Sequence, residues 1–171
     1  MEYGLAGRVL AVMATVWTRM ASTAAQPQPE PYESGRVLLV DDERDVRRML
    51  QRCLARAGFD TVEVSDGRAA LDLLRREAFD LVVSDVQMPI MTGIELLGAL
   101  GSEGLDVPVV LVSGSLEVPD ASKARELGAF DFFKKPFPIA ELLQSVRRAA
   151  LSRRSGRHAI APRLSAEMTE R

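Results

Sequence analysis

Cysteine and histidine are almost absent from this sequence: Cys53 and His158 are the only ones among 171 residues. A single cysteine closes no internal disulfide, which fits a reducing compartment. Cys53 falls at helical spacing among Val46, Met49, Leu50, Leu54 and Ala57, and reads as a small buried hydrophobe rather than a reactive thiol. One histidine in a polar stretch beside Arg157 makes neither a metal site nor a proton relay. Strong net charge is missing too. The balance of −2 draws the molecule as a whole to neither nucleic acid nor a membrane surface. The uncharged stretch Val9–Thr18 is ten residues long, and a bilayer crossing needs about 20. No Gly-x-x-x-x-Gly-Lys-Ser/Thr run is present, so nucleotide hydrolysis of that kind has no support.

What is present has the composition of one globular domain with tails, 47% of it hydrophobic. Residues 1–35 differ from the rest. Val9–Thr18 is bracketed by Arg8 and Arg19, and a Gln/Pro-rich linker, Gln26–Pro31, follows. The pattern has the look of a signal-peptide core. The chemistry downstream argues instead for a poorly ordered extension, or for an upstream start codon, since Met13 and Met20 are alternatives. Residues 36–152 carry 15 basic and 19 acidic side chains, whereas 153–171 hold five arginines against two glutamates. That last stretch reads as a solvated basic tail.

From Arg36 onward short β-rich runs alternate with segments of helical period. Strands are expected at Arg36–Val40, Asp60–Val64, Leu81–Ser84, Val107–Val112 and Phe130–Phe133. Helices are expected at about 43–57, 68–76, 93–100, 119–127 and 139–151. The first helix should bury a stripe of Val46, Met49, Leu50, Cys53, Leu54 and Ala57. The last repeats the pattern with Ile139, Leu142, Leu143 and Val146. Gly58 and Gly128 stand where a helix should stop. Such alternation predicts an α/β fold, (βα)5, around a five-stranded parallel sheet.

The polar residues at the strand ends carry the chemistry. In parallel sheets the ligand crevice lies outside the carboxyl ends of the strands. The first strand runs into Asp41 and Asp42, the third into Asp85, the fourth into Ser113 and Gly114, and the fifth into Lys134 and Lys135. Each alone has a plain explanation, as a helix cap, a turn residue or a solvated edge pair. Gathered at one edge they form an acidic cluster. Two carboxylates ~4 Å apart repel by about 4 kcal/mol at an effective dielectric of ~20. A divalent cation relieves that, and all-oxygen ligation points to Mg2+ or Mn2+. Asp85 then becomes the candidate nucleophile toward phosphorus. Asp41 and Asp42 form a pair suited to the metal, and Ser113 and Lys135 can contact phosphoryl oxygens.

These segments together resemble the response-regulator receiver domain of bacterial two-component signalling. The matching stretches are Val37–Glu43, Val83–Pro89, Gly93–Leu97, Leu111–Gly114 and Lys135–Phe137, in the family's order and spacing over about 36–152. The resemblance implies a doubly wound, flavodoxin-like fold with Asp85 as phosphoacceptor. It implies metal ligation by Asp41, Asp42, Asp85 and the backbone carbonyl of Gln87. Ser113 becomes the switch hydroxyl, Lys135 the phosphate-contacting lysine and Phe132 the switch aromatic. Gln87 and Ser115 occupy positions that tune hydrolysis in the family. Serine instead of threonine at 113 keeps the hydroxyl and loses a methyl group, which should soften the switch.

The function expected is that of a stand-alone phosphorelay response regulator in the cytoplasm. It would take phosphate from a histidine kinase or histidine phosphotransfer protein and change its surface for a downstream protein target. The face formed by the fourth helix, fifth strand and fifth helix would carry that change and could form a transient homodimer. No membrane span and no DNA-binding output are expected, because 19 residues after Ser152 cannot build a helix-turn-helix domain. Enzymatic activity is expected only as Mg2+-dependent self-phosphorylation and autodephosphorylation. One rival is an aspartate-nucleophile phosphatase or phosphotransferase, which would need a substrate cap that no insertion supplies. The other is a receiver-like binding scaffold that never handles phosphate; intact Asp85 and Lys135 oppose it.

Overall fold

Successive residues of a strand point to opposite faces of its sheet, and in Arg36–Val40 both faces are apolar. Val37 and Leu39 join one buried cluster, Leu38 and Val40 another. The computed structural model describes residues 35–114 and 121–156. Within them lie strands β1 (Arg36–Val40), β2 (Asp60–Val64), β3 (Leu81–Asp85), β4 (Val109–Ser113) and β5 (Asp131–Lys134). The helices are α1 (Arg44–Arg56), α2 (Gly67–Leu74), α3 (Gly93–Glu103), α4 (Ala121–Glu126) and α5 (Ile139–Arg154). All strand pairs are parallel, in the order β2-β1-β3-β4-β5. This is the doubly wound α/β arrangement expected. The order reverses between β1 and β3, and ligands of such sheets bind at that switch point.

Two layers of helices cover the sheet. Leu50 and Leu54 of α1 and Leu142, Val146, Ala149 and Ala150 of α5 pack on Val37, Leu39, Leu81, Val83, Val110 and Val112. On the other face Leu71 and Leu74 of α2, Leu96, Leu97 and Leu100 of α3 and Ala124 of α4 meet Leu38, Val82 and Leu111. Full burial of each such leucine stabilises the fold by about 1.5–3 kcal/mol. β3 and β4 are buried along their whole length, which is why they read as unbroken apolar runs.

Element boundaries follow local chemistry. β1 and β2 fall where the sequence places them. β4 starts at Val109, not Val107, because Pro108 has no N–H for the ladder. β5 is displaced by one residue, to Asp131–Lys134. α2 begins at Gly67, one residue early, since the Asp66 side chain caps it by accepting from Ala69 N at 2.8 Å. α3 continues three residues past Leu100 to Glu103 and stops at Gly104 in the left-handed conformation, φ 67°. A Thr92–Glu95 capping box starts that helix.

Two expectations need correction. Met49 is 50% exposed and Cys53 only half-buried, so the buried stripe of α1 narrows to Leu50 and Leu54. The basic tail does not begin at Arg153, since α5 runs on to Arg154. Arg153 pairs with Asp106 at 3.2 Å and Arg154 with Asp80 at 3.4 Å. Residues 1–34 of the extension read as 1–35, the start of the fourth helix at Pro119, Ser115 and the residues from Arg157 onward all lie outside the described residues.

Candidate functional site

The carboxyl ends of β1, β3, β4 and β5 bring the expected side chains to one edge. Asp41 directly follows β1 and is fully buried, while Asp85 closes β3 with 6% exposure. Asp41 Oδ1 accepts from the Glu43 amide at 2.8 Å, and Asp85 Oδ2 accepts from the Gln87 amide at 2.7 Å. Each carboxylate is therefore fixed by the turn that follows its own strand. The other oxygens share one cation: Lys135 Nζ lies 2.7 Å from Asp85 Oδ1 and 3.1 Å from Asp41 Oδ2. Lys135 is in turn held by its own amide, which donates to the Ser113 carbonyl at 2.7 Å. Ser113 is fully buried at the end of β4. The Lys135–Pro136 peptide bond is cis.

Around Asp85 the backbone is packed without slack. Ser84 Oγ donates to the Asp85 carbonyl at 2.8 Å, and the Gly93 amide donates to the Val86 carbonyl at 3.0 Å. A Cβ on Gly93 would collide with the Asp85 carbonyl oxygen. Glycine at this position is what lets α3 start against the strand end. The intervening loop turns through Ile90, which is 82% exposed at φ 69°. Left-handed backbone is unfavourable for a β-branched residue.

Electrostatics match the geometry. Burial pushes the Asp41 carboxyl above its ordinary range, outweighing the Glu43 amide and the Lys135 charge, with Asp85 adding to the rise. Burial works against the Lys135 ammonium, but hydrogen bonds and charge from Asp85 and Asp41 hold it above the ordinary lysine value. Two buried carboxylates against one ammonium leave the site short of positive charge. Among the described residues no three acidic, histidine or cysteine side chains gather around one point. Asp42 is exposed, so the expected cluster of three carboxylates is instead a buried pair bridged by Lys135. The residues fit a hard divalent cation in two respects: every donor is oxygen, and negative charge is in excess.

The other expected residues divide. Phe132 is partly buried against the cluster that contains Ala124 of α4 and Ala129. Its neighbour Phe133 faces the other layer and packs on Phe137, ring centroids 5.7 Å apart. The Gln87 side chain is exposed. Sequence reasoning missed two residues. Arg47, one turn into α1, donates from Nη1 to the Asp41 carbonyl at 2.6 Å. Asp131, at the start of β5, is buried and accepts from Ser145, Arg125, Arg148 and the Phe132 amide. Neither is marked in the sequence: Arg47 is recruited by main-chain carbonyls, which carry no sequence signature, and Asp131 by Ser145 and Arg148 from α5.

A fold of this order, with paired aspartates answered by a lysine at its switch point, defines a doubly wound α/β domain with an aspartate-centred site. Residues 37–147 match the family model described as the response regulator receiver domain, and the chain belongs to that family. It is similar to the C4-dicarboxylate transport transcriptional regulatory protein DctD of Pseudomonas aeruginosa, 42% identical over 118 residues, 69% of this chain and 26% of that protein. It is 40% identical to the response regulator MprA of Mycolicibacterium vanbaalenii over 120 residues, 70% of this chain and 51% of that protein. The chain thus spans between a quarter and a half of these curated relatives. The solved structure of the chemotaxis response regulator CheY4 of Vibrio cholerae superposes with a TM-score of 0.61 at 30% identity, covering 68% of this chain and 98% of that one. Receiver domains of this family serve phosphorelay response regulators of two-component systems and generally depend on Mg2+. No helix among the described residues is long and apolar enough to cross a membrane.

Proposed function

We propose that this chain accepts a phosphoryl group on Asp85 from the phosphohistidine of a histidine kinase or histidine phosphotransfer protein. The metal ligands in this reading are Asp41, Asp42, Asp85 and the Gln87 carbonyl. A divalent ion bound there, Mg2+ or Mn2+, supplies the positive charge that the phosphoryl oxygens need. The protein does the rest. The Gln87 amide orients the Asp85 carboxylate, one oxygen of which attacks phosphorus as the bond to the donor nitrogen breaks. Lys135 releases its hold on Asp85 and pairs with a phosphoryl oxygen, so its charge follows the transferred group. Ser113 donates its hydroxyl to another phosphoryl oxygen, and the space it vacates admits Phe132. The movement biases α4 and its neighbouring loop, and a downstream protein target reads the face made of α4, β5 and α5. The same face serves for transient pairing of two copies. The chemistry stays confined to the chain's own phosphorylation and dephosphorylation, and its place is the cytoplasm, where kinases charged by ATP supply the phosphate.

The observation that carries this reading is the Lys135 ammonium bridging Asp85 and Asp41 at the β1/β3 switch point. Incubation of the full chain with acetyl phosphate, with and without Mg2+, tests it by intact mass. Addition of one phosphoryl group only with Mg2+ is the expected outcome. An unchanged mass with the metal present would count against it.

A further inference from the structure

Arg47 braces the turn that carries two of the site's acidic residues. Its Nη1 donates to the Asp41 carbonyl at 2.6 Å and reaches the Asp42 carbonyl at 3.4 Å. Its Nε lies 3.5 Å from Glu63 Oε2 on β2, and the side chain is 16% exposed. The Nε atom is buried and hydrogen-bonds to nothing, so the guanidinium is placed for the carbonyls and for the charge of Glu63. Three elements meet in this side chain: α1 supplies it, β2 anchors it, and the turn after β1 hangs from it. Guanidinium keeps its charge at any accessible pH and offers several donors in one rigid plane.

The turn needs an external hold. Its last ladder contact is Asp41 N to Val64 O at 3.3 Å, after which the two carbonyls have left the sheet. Repulsion between the buried carboxylates of Asp41 and Asp85, only partly answered by Lys135, pushes the turn away from β3. Arg47 pulls on the main chain of both residues and does not engage their carboxylates. We infer that Arg47 is a positioning residue: by holding the carbonyls of Asp41 and Asp42 it sets the affinity of the site for Mg2+ and, through that, the rate at which Asp85 accepts phosphate. The inference rests on the reading of Asp85 and its metal ligands given above.

The test is a Mg2+ titration of the full chain, read from the backbone amide shifts of residues 41–43, alongside acetyl phosphate labelling. Arg47→Met should weaken Mg2+ binding about tenfold, which is about 1.4 kcal/mol, and slow labelling by a similar factor. Arg47→Lys keeps the charge and loses the fork, so about a threefold loss is expected. Val146→Ala, on the buried face of α5, controls for lost stability and should leave the titration unchanged. Equal midpoints for Arg47→Met, Val146→Ala and the parent would overturn the inference. Should Arg47→Met fail to fold, a parental midpoint in Arg47→Lys overturns it equally. A parent without Mg2+-dependent shifts at residues 41–43 overturns the functional reading itself, and the brace with it.

Discussion

Asp41 and Asp131 are both buried aspartates, one just past the carboxyl end of β1 and the other at the amino end of β5. Asp131 receives four donors: Ser145 Oγ at 2.8 Å, Arg125 at 2.9 Å, Arg148 at 3.0 Å and the Phe132 amide at 3.0 Å. Burial alone would raise its pKa, yet Ser145, Arg125 and the amide reverse that and hold the carboxyl below its ordinary range. Asp41 has the Glu43 amide and a share of one lysine, and burial wins. A carboxylate with every lone pair served is a fixture. One left short of positive charge is available to an incoming group. The same residue type is thus fully served at one end of the sheet and left short of positive charge at the other.

The contrast breaks most sharply under phosphorylation. Asp85→Asn should abolish labelling by acetyl phosphate in intact-mass spectra, whereas Asp131→Asn should be labelled like the parent. Labelling of Asp85→Asn would show that the reactive carboxylate lies elsewhere.

Stability should move the other way. Asp131→Ala strands Ser145 and two arginines, and because the arginines are largely exposed the cost is about 2 kcal/mol. Urea unfolding measures it. Because the folded pKa of Asp131 is depressed, its contribution is complete above the ordinary value of 3.8 and is lost as pH falls through the folded value. Asp131→Asn should therefore flatten the acid limb of the stability profile. The raised pKa of Asp41 has the opposite sign: its contribution is complete below 3.8 and fades as pH rises through the folded value. Asp41→Asn in Mg2+-free buffer should remove that fall and leave the acid limb unchanged.

A smaller effect is expected at the hydroxyl. Ser113→Ala should still accept phosphate, but the chemical-shift changes in residues 121–135 should shrink. One hydrogen bond, about 1–3 kcal/mol, is less than the ~5.5 kcal/mol of a full population reversal. Full-size shifts in the variant would remove Ser113 from the route. Smallest of all, Asp42→Ala should leave metal-free stability within about 0.5 kcal/mol, since an exposed carboxylate is lost, while weakening Mg2+ binding. An unchanged titration would make Asp42 a turn residue only.

The sheet was legible because β1, β3 and β4 are largely apolar runs bounded by polar turns, while β2 is rich in β-branched residues. β1 and β2 could be read to the residue, and the strand-end positions followed from parallel topology. What stayed hidden depends on partners far away in sequence. Lys135 meets residues 94 and 50 positions earlier, and parallel topology alone does not say that its ammonium would sit between the two carboxylates. Asp131 reads as a lone acid between phenylalanines until Ser145 and Arg148 arrive from α5. Met49 fits the apolar stripe of α1 by period, yet the sheet accepts a narrower strip. The end of α5 escaped for the same reason: Arg153 and Arg154 break the hydrophobic period while finding acids on two distant loops.

That last feature bears on how the domain can be excised. α5 starts four residues after Lys135 and, at about 1.5 Å per residue, runs the height of the sheet to its amino edge. There Arg153 and Arg154 clasp Asp106 and Asp80, which precede β4 and β3. A protein cut after Ser152, where the apolar pattern fades, would lose both clasps, leaving Asp106 without its arginine and Asp80 with the Arg36 amide, 2.7 Å from its Oδ2. Each pair is partly exposed and worth no more than about 1 kcal/mol, so the shortened protein would still fold, at a lower melting temperature. A cut after Gly156 keeps the whole helix and both ion pairs.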